Sequence, residues 1–436
     1  MLTLVDGGRQ SILLSDFQAM LYEVVKRVQT EKSLHVHGGL SNPDGYAGLI
    51  DGRCVGFEQF IGAKSAMQLI RVGGDTLEFT ERLRQEHDFD DARLNNLIVV
   101  YANEVAPIQP VCQHIRAVVE GGTSITSKAR QAAHQFDDEL RRFALDKLKF
   151  SASQYSEINK RETATLSGAP YLLHAKGAQR KTDDVAPLGV VMVHGFLSSP
   201  AELRGLGDAL HAAGLPVIGV RLRGHGTSPW DLSTRTLDDW VGSVRQGQRI
   251  MAGLAERHVV VGFSMGGSLA IIRAAEPEFG LSGAVAINVP AGFEDSRMKL
   301  VPLVHGANAV IGMVAGTDGV VPFRPNNSEN SHINYASIPM SSLSELAGSA
   351  SVVKAAARGV AVPTLVIQAT SDPVVSADVV RDMVATMPTE LTDMVDIDSD
   401  VHGIVYADVG ETWTNVKEFV MRIAKSPILP ASDLPA

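Results

Sequence analysis

In the stretch "VVVGFSMGGS" (residues 259–268) an apolar run leads directly into a serine flanked by glycines. The valines predict a buried strand, and a helical pattern follows at once. In a G-x-S-x-G sequence the glycines omit side chains that would clash at a sharp strand-to-helix turn, so the serine projects from it. Ser264 is therefore a candidate nucleophile. The alternative is a chance match, since the chain has 40 glycines among 436 residues.

Short apolar runs alternate with amphipathic segments on both sides of this turn, from about residue 187 onward. Strands that are apolar on both faces and alternate with helices predict an α/β fold with a mostly parallel sheet covered on both sides. The predicted strands are 189–196, 216–222, 258–263, 283–289, 363–370 and 393–398, and the predicted helices are 201–214, 236–257, 266–276, 376–387 and 411–425.

The first 165 residues have a different pattern. Helical periodicity covers 16–31 and 127–150, and the run "NNLIVVYA" (95–102) predicts a strand between them. The length of the chain favours two domains. We predict a mixed, mainly helical region at 1–165 whose role is open, a second domain at 166–428, and a loose tail at 429–436.

Composition and charge narrow the class of protein. A net charge of −10 argues against a nucleic-acid partner, which would require a basic face. Cys54 and Cys112 form no disulfide framework, no secretory signal is recognisable, and no apolar run approaches the length of a membrane span. We therefore predict a cytoplasmic protein without an integral membrane span. The oligomeric state stays open.

The motif "HVHGGL" (35–40) offers two alternating histidines, His35 and His37, as metal ligands. No third ligand is evident nearby, and the glycine pair is accounted for by a turn. We predict no metal site here.

A serine nucleophile requires a histidine base and a carboxylate to orient it. His402 lies between the last predicted strand and the last predicted helix, at the sheet edge where ligands bind in such folds. His305 and His332 follow Ser264 as well but have no strand directly before them. Asp372 ends the strand 363–370 and is the predicted acid, while Asp400 more plausibly orders the loop of His402.

The developing oxyanion requires backbone N–H donors. The segment "VMVHGFLSSP" turns after a predicted strand, where Gly195 permits a close backbone approach and Phe196 can donate its N–H. Met265 begins a helix, so its N–H is free of the helical ladder and is the second predicted donor. His194 precedes this turn and is predicted to shape it rather than act as the base.

Residues from about 187 to 428 resemble the α/β-hydrolase superfamily, specifically its bacterial carboxylesterase and monoacylglycerol-lipase branch. The motifs that carry the resemblance are "VHGF", "RLRGHGTSP", "TLDDWVGSV", "GFSMGG", "ATSDPVVSADVV" and "DVHGIVYAD". The resemblance implies a Ser264–His402–Asp372 triad, oxyanion donors at Phe196 and Met265, and a small cap at about 291–345. The segment 1–165 is a departure from compact esterases of this type.

The expected function is hydrolysis of a small carboxylic ester, of short to medium acyl chain or a monoacylglycerol, through an acyl-enzyme intermediate. This chemistry needs no metal and no organic cofactor. A thioesterase, an amidase or peptidase, or a C–C bond hydrolase would use the same triad. A non-catalytic binding protein with this fold is a further alternative, which loss of a triad residue would have favoured.

Overall fold

The computed structural model describes residues 1–85, 88–121, 127–174, 186–292, 322–328 and 330–426. The chain forms two compact units, residues 1–142 and 143–436. The boundary that we predict near residue 165 remains a prediction. The predicted tail at 429–436, and residues 293–321 of the predicted cap, lie outside the described part of the chain.

The first unit is mainly helical, as predicted, and has a small antiparallel sheet in the order β1-β3-β2. Its strands are β1 (Ser11–Leu13), β2 (Ile70–Gly73) and β3 (Thr76–Phe79). Its helices are α1 (Leu2–Asp6), α2 (Leu14–Thr30), α3 (Gly38–Ser41), α4 (Gly48–Asp51), α5 (Val55–Ala66), α6 (Phe89–Asn95), α7 (Leu97–Val105) and α8 (Gln109–Gly121), and α9 (Lys128–Lys149) contains the division. Phe17 and Met20 of α2 join Leu77 of β3 in one buried cluster, so the amphipathic face of α2 has its partner within this unit.

The strand predicted at 95–102 is wrong, because α7 is a helix there. The Asn96 side chain accepts the N–H of Val99 at 3.3 Å and thereby caps the helix. The same side chain donates to the carbonyl of Leu83 at 3.2 Å. A short run of branched apolar residues does not distinguish a strand from a short helix by periodicity, and here a buried cap decides the outcome.

The second unit is built on a seven-stranded sheet in the order β12-β11-β8-β7-β5-β6-β4. Its strands are β4 (Tyr171–Leu173), β5 (Ala186–Val193), β6 (Val217–Val220), β7 (Ala255–Phe263), β8 (Leu281–Ile287), β11 (Thr364–Ala369) and β12 (Thr392–Ile397), with β9 (Phe323–Pro325) and β10 (Ser337–Pro339) paired separately. Within the seven-stranded sheet every pairing is parallel except that of β4, which runs antiparallel to β6. The predicted mostly parallel sheet is confirmed.

Helices of the second unit follow the sheet strands in alternation. They are α10 (Ser156–Asn159), α11 (Arg204–Ala212), α12 (Pro229–Leu232), α13 (Leu237–Ala252), α14 (Met265–Ala275), α15 (Met340–Ala357), α16 (Ala377–Val384) and α17 (Thr412–Lys425). One buried cluster joins residues of the central strands to α11 and α17, for example Val261, Leu206 and Phe419. No helix among the described residues is both long and apolar enough to cross a membrane.

Candidate active site

Ser264 lies in the sharp turn between β7 and α14, with φ 53° and ψ −120°. Its N–H donates to the carbonyl of Ile287 at 2.7 Å, which ties the turn to the end of β8. A Cβ atom on Gly262 would lie 2.0 Å from the carbonyl oxygen of Gly266, and one on Gly266 would lie 2.0 Å from that of Val193. Both flanking glycines are therefore required by close backbone packing, which leaves the serine side chain free to project.

His402 joins Ser264 and Asp372 in one hydrogen-bonded chain. Its Nε2 lies 3.0 Å from the Ser264 Oγ, and its Nδ1 lies 2.7 Å from the Asp372 Oδ2. A carboxylate only accepts hydrogen bonds, so the Nδ1 carries the proton and the Nε2 is left to accept from the serine hydroxyl. The structure thus brings together the three residues that the sequence predicts as a triad.

Backbone contacts hold the two supporting residues in place. The Asp372 Oδ1 accepts the N–H groups of Val374 and Val375, at 2.8 and 3.1 Å, so the carboxylate is oriented before it meets the histidine. Asn288 is fully buried just beyond β8 and donates from Nδ2 to the carbonyl of His402 at 2.7 Å. Its Oδ1 accepts the N–H of Ala369 at 2.8 Å. Asn288 therefore links the histidine loop to two strand ends, a role that our sequence analysis missed.

The loop after β5 packs directly against the serine. A Cβ atom on Gly195 would lie 3.3 Å from the Ser264 Cβ, so this backbone passes within van der Waals contact of the nucleophile candidate. His194 is buried, and its Nδ1 lies 2.8 Å from the carbonyl oxygen of Gly195 while its Nε2 accepts the N–H of Leu222 at 3.2 Å. His194 thus shapes the loop, as its position in the sequence indicates.

The two predicted oxyanion donors, Phe196 and Met265, belong to the loop after β5 and to the start of α14. Phe196 follows Gly195 and lines the same cavity as Ser264. Met265 is the first residue of α14, where the backbone N–H has no acceptor within the helix and the helix dipole favours negative charge. The arrangement can place two N–H donors around one carbonyl oxygen.

Burial shifts the pKa of two further groups in this region. Burial raises the pKa of the Glu202 carboxyl to about 7, against the opposing effects of its hydrogen bond from the Gly195 N–H, of the Ser198 hydroxyl and of the nearby His402. Burial lowers the pKa of His194 to about 4, so that this ring is neutral near pH 7. The sequence analysis did not single out Glu202.

A cavity of about 510 Å³ opens onto the serine and histidine. Its apolar lining comes from several loops and from α15, and all four amide side chains among its described lining residues come from one segment: Asn326, Asn327, Asn330 and Asn334. The described lining residues are Phe196, Leu197, Glu202, Phe263, Ser264, Pro290, Arg324, Asn326, Asn327, Ser328, Asn330, Asn334, Ile338, Leu343, Leu346, Pro373, Val374, Val375, Asp400, Val401, His402 and Gly403.

The other candidates take different places. Asp400 lines the cavity, whereas the carboxylate that bonds to His402 belongs to Asp372. His332 lies 3.0 Å from the hydroxyl of Tyr406, and His305 falls outside the described residues. In the first unit the Nδ1 of His37 accepts the N–H of Gly39 at 3.1 Å, so this ring caps α3.

The chain is similar to known proteins in sequence and in fold. The family model of the alpha/beta hydrolase family matches residues 190–410. A thermostable monoacylglycerol lipase from Bacillus sp. (strain H-257) is 28% identical over 218 residues, which cover 49% of this chain and 84% of that protein. A solved structure from work on the metagenome-derived lipolytic enzymes LipS and LipT superposes with a TM-score of 0.51 at 19% identity, covering 59% of this chain and 99% of that one.

The central sheet and the matched sequence define an α/β hydrolase. The chain belongs to the alpha/beta hydrolase family. The resemblance to this superfamily and its esterase and monoacylglycerol-lipase branch, and the α/β-hydrolase fold that it implies, are confirmed. The first unit lies outside the region matched by the family model.

Proposed function

We propose that this chain, a carboxylic ester hydrolase, uses Ser264 as a nucleophile and forms an acyl-enzyme intermediate. The observation that carries the proposal is the 3.0 Å contact between the Ser264 Oγ and the Nε2 of His402. A serine hydroxyl is a weak nucleophile unless a base removes its proton as it attacks, and this contact supplies that base. Asp372 then stabilises the imidazolium that forms.

The proposed reaction proceeds in two halves. The Ser264 Oγ attacks the ester carbonyl carbon, its proton passes to His402, and the carbonyl oxygen becomes an oxyanion held by the N–H groups of Phe196 and Met265. The C–O bond to the alcohol breaks as His402 returns the proton to the leaving oxygen. A water molecule then attacks the acyl-enzyme with the same histidine as base, and releases the acid and the free serine.

The lining of the cavity supports a substrate with one short or medium acyl chain and a polar alcohol, such as a monoacylglycerol. Leu197, Leu343 and Leu346 offer an apolar wall to the acyl chain. Asn330 is one of the four asparagines among the described residues that line the cavity. Its Nδ2 would lie 3.8 Å from a Cβ placed on Gly403, the residue after His402. The similarity to a monoacylglycerol lipase agrees with this substrate class.

The substrate proposal is tested with a monoacylglycerol, a p-nitrophenyl ester of the same acyl chain, and the matching thioester and anilide. We expect the two esters to be hydrolysed with the highest kcat/KM. A preference for the thioester or the anilide would contradict the ester assignment and favour one of the other chemistries that share the triad.

The Asn330→Ala variant tests the polar side of the cavity. We expect KM for the monoacylglycerol to rise about tenfold, the value of one lost hydrogen bond, with little change for the p-nitrophenyl ester. Asn415→Ala is the control, because this half-buried amide of α17 donates to the carbonyl of Glu411 and is not among the described residues that line the cavity. An equal effect on both substrates would contradict the assignment of Asn330 to the alcohol side.

We further propose a reducing, cytoplasmic location for the enzyme. Cys54 and Cys112 are both free thiols, which supports this location because oxidising compartments favour disulfides.

A further inference from the structure

Glu202 is a buried carboxyl group beside the reacting atoms that the proposed mechanism does not use. It lies in a single helical turn, Pro200–Leu203, and is only 7% exposed. This turn directly follows the loop after β5, residues 194–199, which we call the oxyanion loop. Glu202 lines the same cavity as Ser264 and His402. Burying a carboxyl group is unfavourable unless hydrogen bonds compensate, so the partners of Glu202 indicate what it contributes.

The partners of Glu202 belong to the loop that follows β5: the backbone N–H of Gly195 and the hydroxyl of Ser198. The N–H of Gly195 donates to the Glu202 Oε2 at 2.7 Å. The space around the same glycine is tight, since a Cβ would lie 3.2 Å from that oxygen and 3.3 Å from the Ser264 Cβ. The carboxyl group, the loop and the serine are therefore packed against each other in one place.

The N–H and the carbonyl group of Gly195 are held by different side chains. Glu202 accepts its N–H, while the Nδ1–H of His194 donates to its carbonyl at 2.8 Å. The peptide that follows is planar and trans, so its N–H, that of Phe196, points opposite to the carbonyl that His194 holds. Fixing both groups of Gly195 thus fixes the direction of the Phe196 N–H.

We infer that Glu202 is a positioning residue, which holds the Gly195 N–H and thereby keeps the Phe196 N–H directed at the developing oxyanion. The inference rests on the proposed function, because it assigns Glu202 a part in the same reaction. Its effect acts on the transition state, where the oxyanion forms, more than on substrate binding.

Glu202 also changes its ionisation near neutral pH. Burial raises the pKa of this carboxyl to about 7. His402 is the titratable group that acts on it from the facing loop, and His194, at the end of β5, is neutral throughout because burial lowers its pKa to about 4. The ionised carboxylate binds the Gly195 N–H more strongly than the neutral acid and stabilises the imidazolium of His402. Its deprotonation therefore raises the rate.

The experiment compares the wild-type protein with Glu202→Ala and Glu202→Gln in steady-state hydrolysis of a p-nitrophenyl ester. At pH 8 we expect Glu202→Ala to lower kcat about 10- to 100-fold with little change in KM, because a mobile donor stabilises the oxyanion less. Glu202→Gln keeps an acceptor for the Gly195 N–H, so kcat should stay within about tenfold of wild type. Between pH 5 and pH 8, kcat/KM of the wild type should follow two ionisations and that of Glu202→Gln only one.

Glu345→Ala is the matched control. Glu345 also accepts a backbone N–H, that of Leu237 at 3.1 Å, but it is not among the described residues that line the cavity. We expect its kcat to stay within about twofold of wild type. An unchanged kcat in Glu202→Ala, an effect confined to KM, or an unchanged pH profile in Glu202→Gln would each overturn the inference. Labelling of the wild-type protein by a fluorophosphonate distinguishes failure of this inference from failure of the proposed function. If Ser264 of the wild type is not labelled, the proposed function itself is contradicted.

Discussion

Ser264 adopts a backbone conformation that residues with a side chain rarely adopt. Its φ of 53° costs about 1–3 kcal/mol, a strain that persists only where the surrounding structure enforces it. The hydrogen bond from its N–H to the carbonyl of Ile287 enforces this conformation, and so does the close packing of α14 on the sheet, which the two flanking glycines allow. The strain exposes the hydroxyl, which is the property that a nucleophile needs.

Asp372→Asn is the sharpest test of the acid. An asparagine has nearly the same shape but no charge to stabilise the imidazolium and can offer its N–H₂ to the Nδ1, which favours the wrong tautomer. We expect kcat to fall about 10³-fold or more on an ester substrate. The matched control is Asp400→Asn, which should keep most of its activity. Loss of activity in Asp400→Asn with little effect in Asp372→Asn would move the acid role to Asp400.

The residues that sequence reasoning brought together share one feature, a strand end next to a chemically distinctive side chain. Asn288 and Glu202 lack such a signal because their roles depend on neighbours that only the fold supplies. The bond from Asn288 to His402 spans 114 positions along the chain, and Glu202 acts through a backbone N–H. A buried polar side chain of this kind cannot be distinguished from a surface one in a single sequence.

At the scale of elements, the approach of α14 to the sheet positions the site. The first turn of this helix lies against β5 closely enough that the carbonyl oxygen of Val193 occupies the space where a Cβ of Gly266 would be. The serine at the start of α14 and the oxyanion loop after β5 are held together by this contact. Packing between two regular elements therefore sets the distance between Ser264 and the loop that contains Phe196.

Gly266→Ala should destabilise the second unit by about 3 kcal/mol or more, because the clash is with backbone that cannot rotate away. Gly242→Ala is the matched control, as Gly242 lies on the exposed side of α13 with no atom within 4 Å of an added Cβ. That substitution should stabilise by about 0.5–1 kcal/mol through helix propensity alone. Urea unfolding followed by tryptophan fluorescence measures both. Equal stability of the two variants would contradict the close packing of α14.

Most strands and helices of the second unit could be predicted because each is long and strongly patterned. The predicted strand 258–263 lies within β7, and the predicted helix 411–425 ends with α17 at Lys425. The helix α15 was not predicted as such, since its 18 residues are rich in serine and alanine and carry little amphipathic pattern. The strand predicted at 95–102 was wrong because a short apolar run does not distinguish a strand from a helix. The buried cap at Asn96, which decides between them, depends on contacts that only the fold supplies.

At the scale of the whole molecule, buried histidines set the response to acid. Burial lowers the pKa of His194 to about 4 and that of His258 to about 3, and lowers the pKa of His225 as well. These groups bind protons more readily in the unfolded chain, so their contribution to stability is present above about pH 6.5 and is lost as the pH falls. Glu202 acts in the opposite sense, since its raised pKa favours the folded state at low pH.

We predict that the second unit is less stable at pH 5 than at pH 7, because the lowered pKa values of three buried histidines outweigh the raised pKa of one carboxyl group. Urea unfolding at the two pH values measures this. His258→Gln removes one of the titrating groups and should reduce the loss by about 2 kcal/mol. Stability that is unchanged or higher at pH 5 in the wild type would contradict the prediction.

The division into units can be tested by truncation. Arg221 is buried and its Nη2 lies 2.9 Å from the Oδ2 of Asp146, so a chain starting at residue 166 would leave a guanidinium without this partner. We expect that chain to be about 3–5 kcal/mol less stable than one starting at Phe143, which retains Asp146. Equal stability of the two truncated proteins, by urea unfolding, would favour the boundary near residue 165.

We propose above that Ser264 is a nucleophile activated by His402. The most direct measurement is the rate of covalent labelling of the intact protein by a fluorophosphonate, with the modified peptide located by mass spectrometry. We predict a single phosphonylated serine at Ser264, no label in Ser264→Ala, and labelling of His402→Ala slowed about 10³-fold or more. Labelling of Ser264→Ala at the wild-type rate, or of His402→Ala as fast as the wild type, would contradict the account.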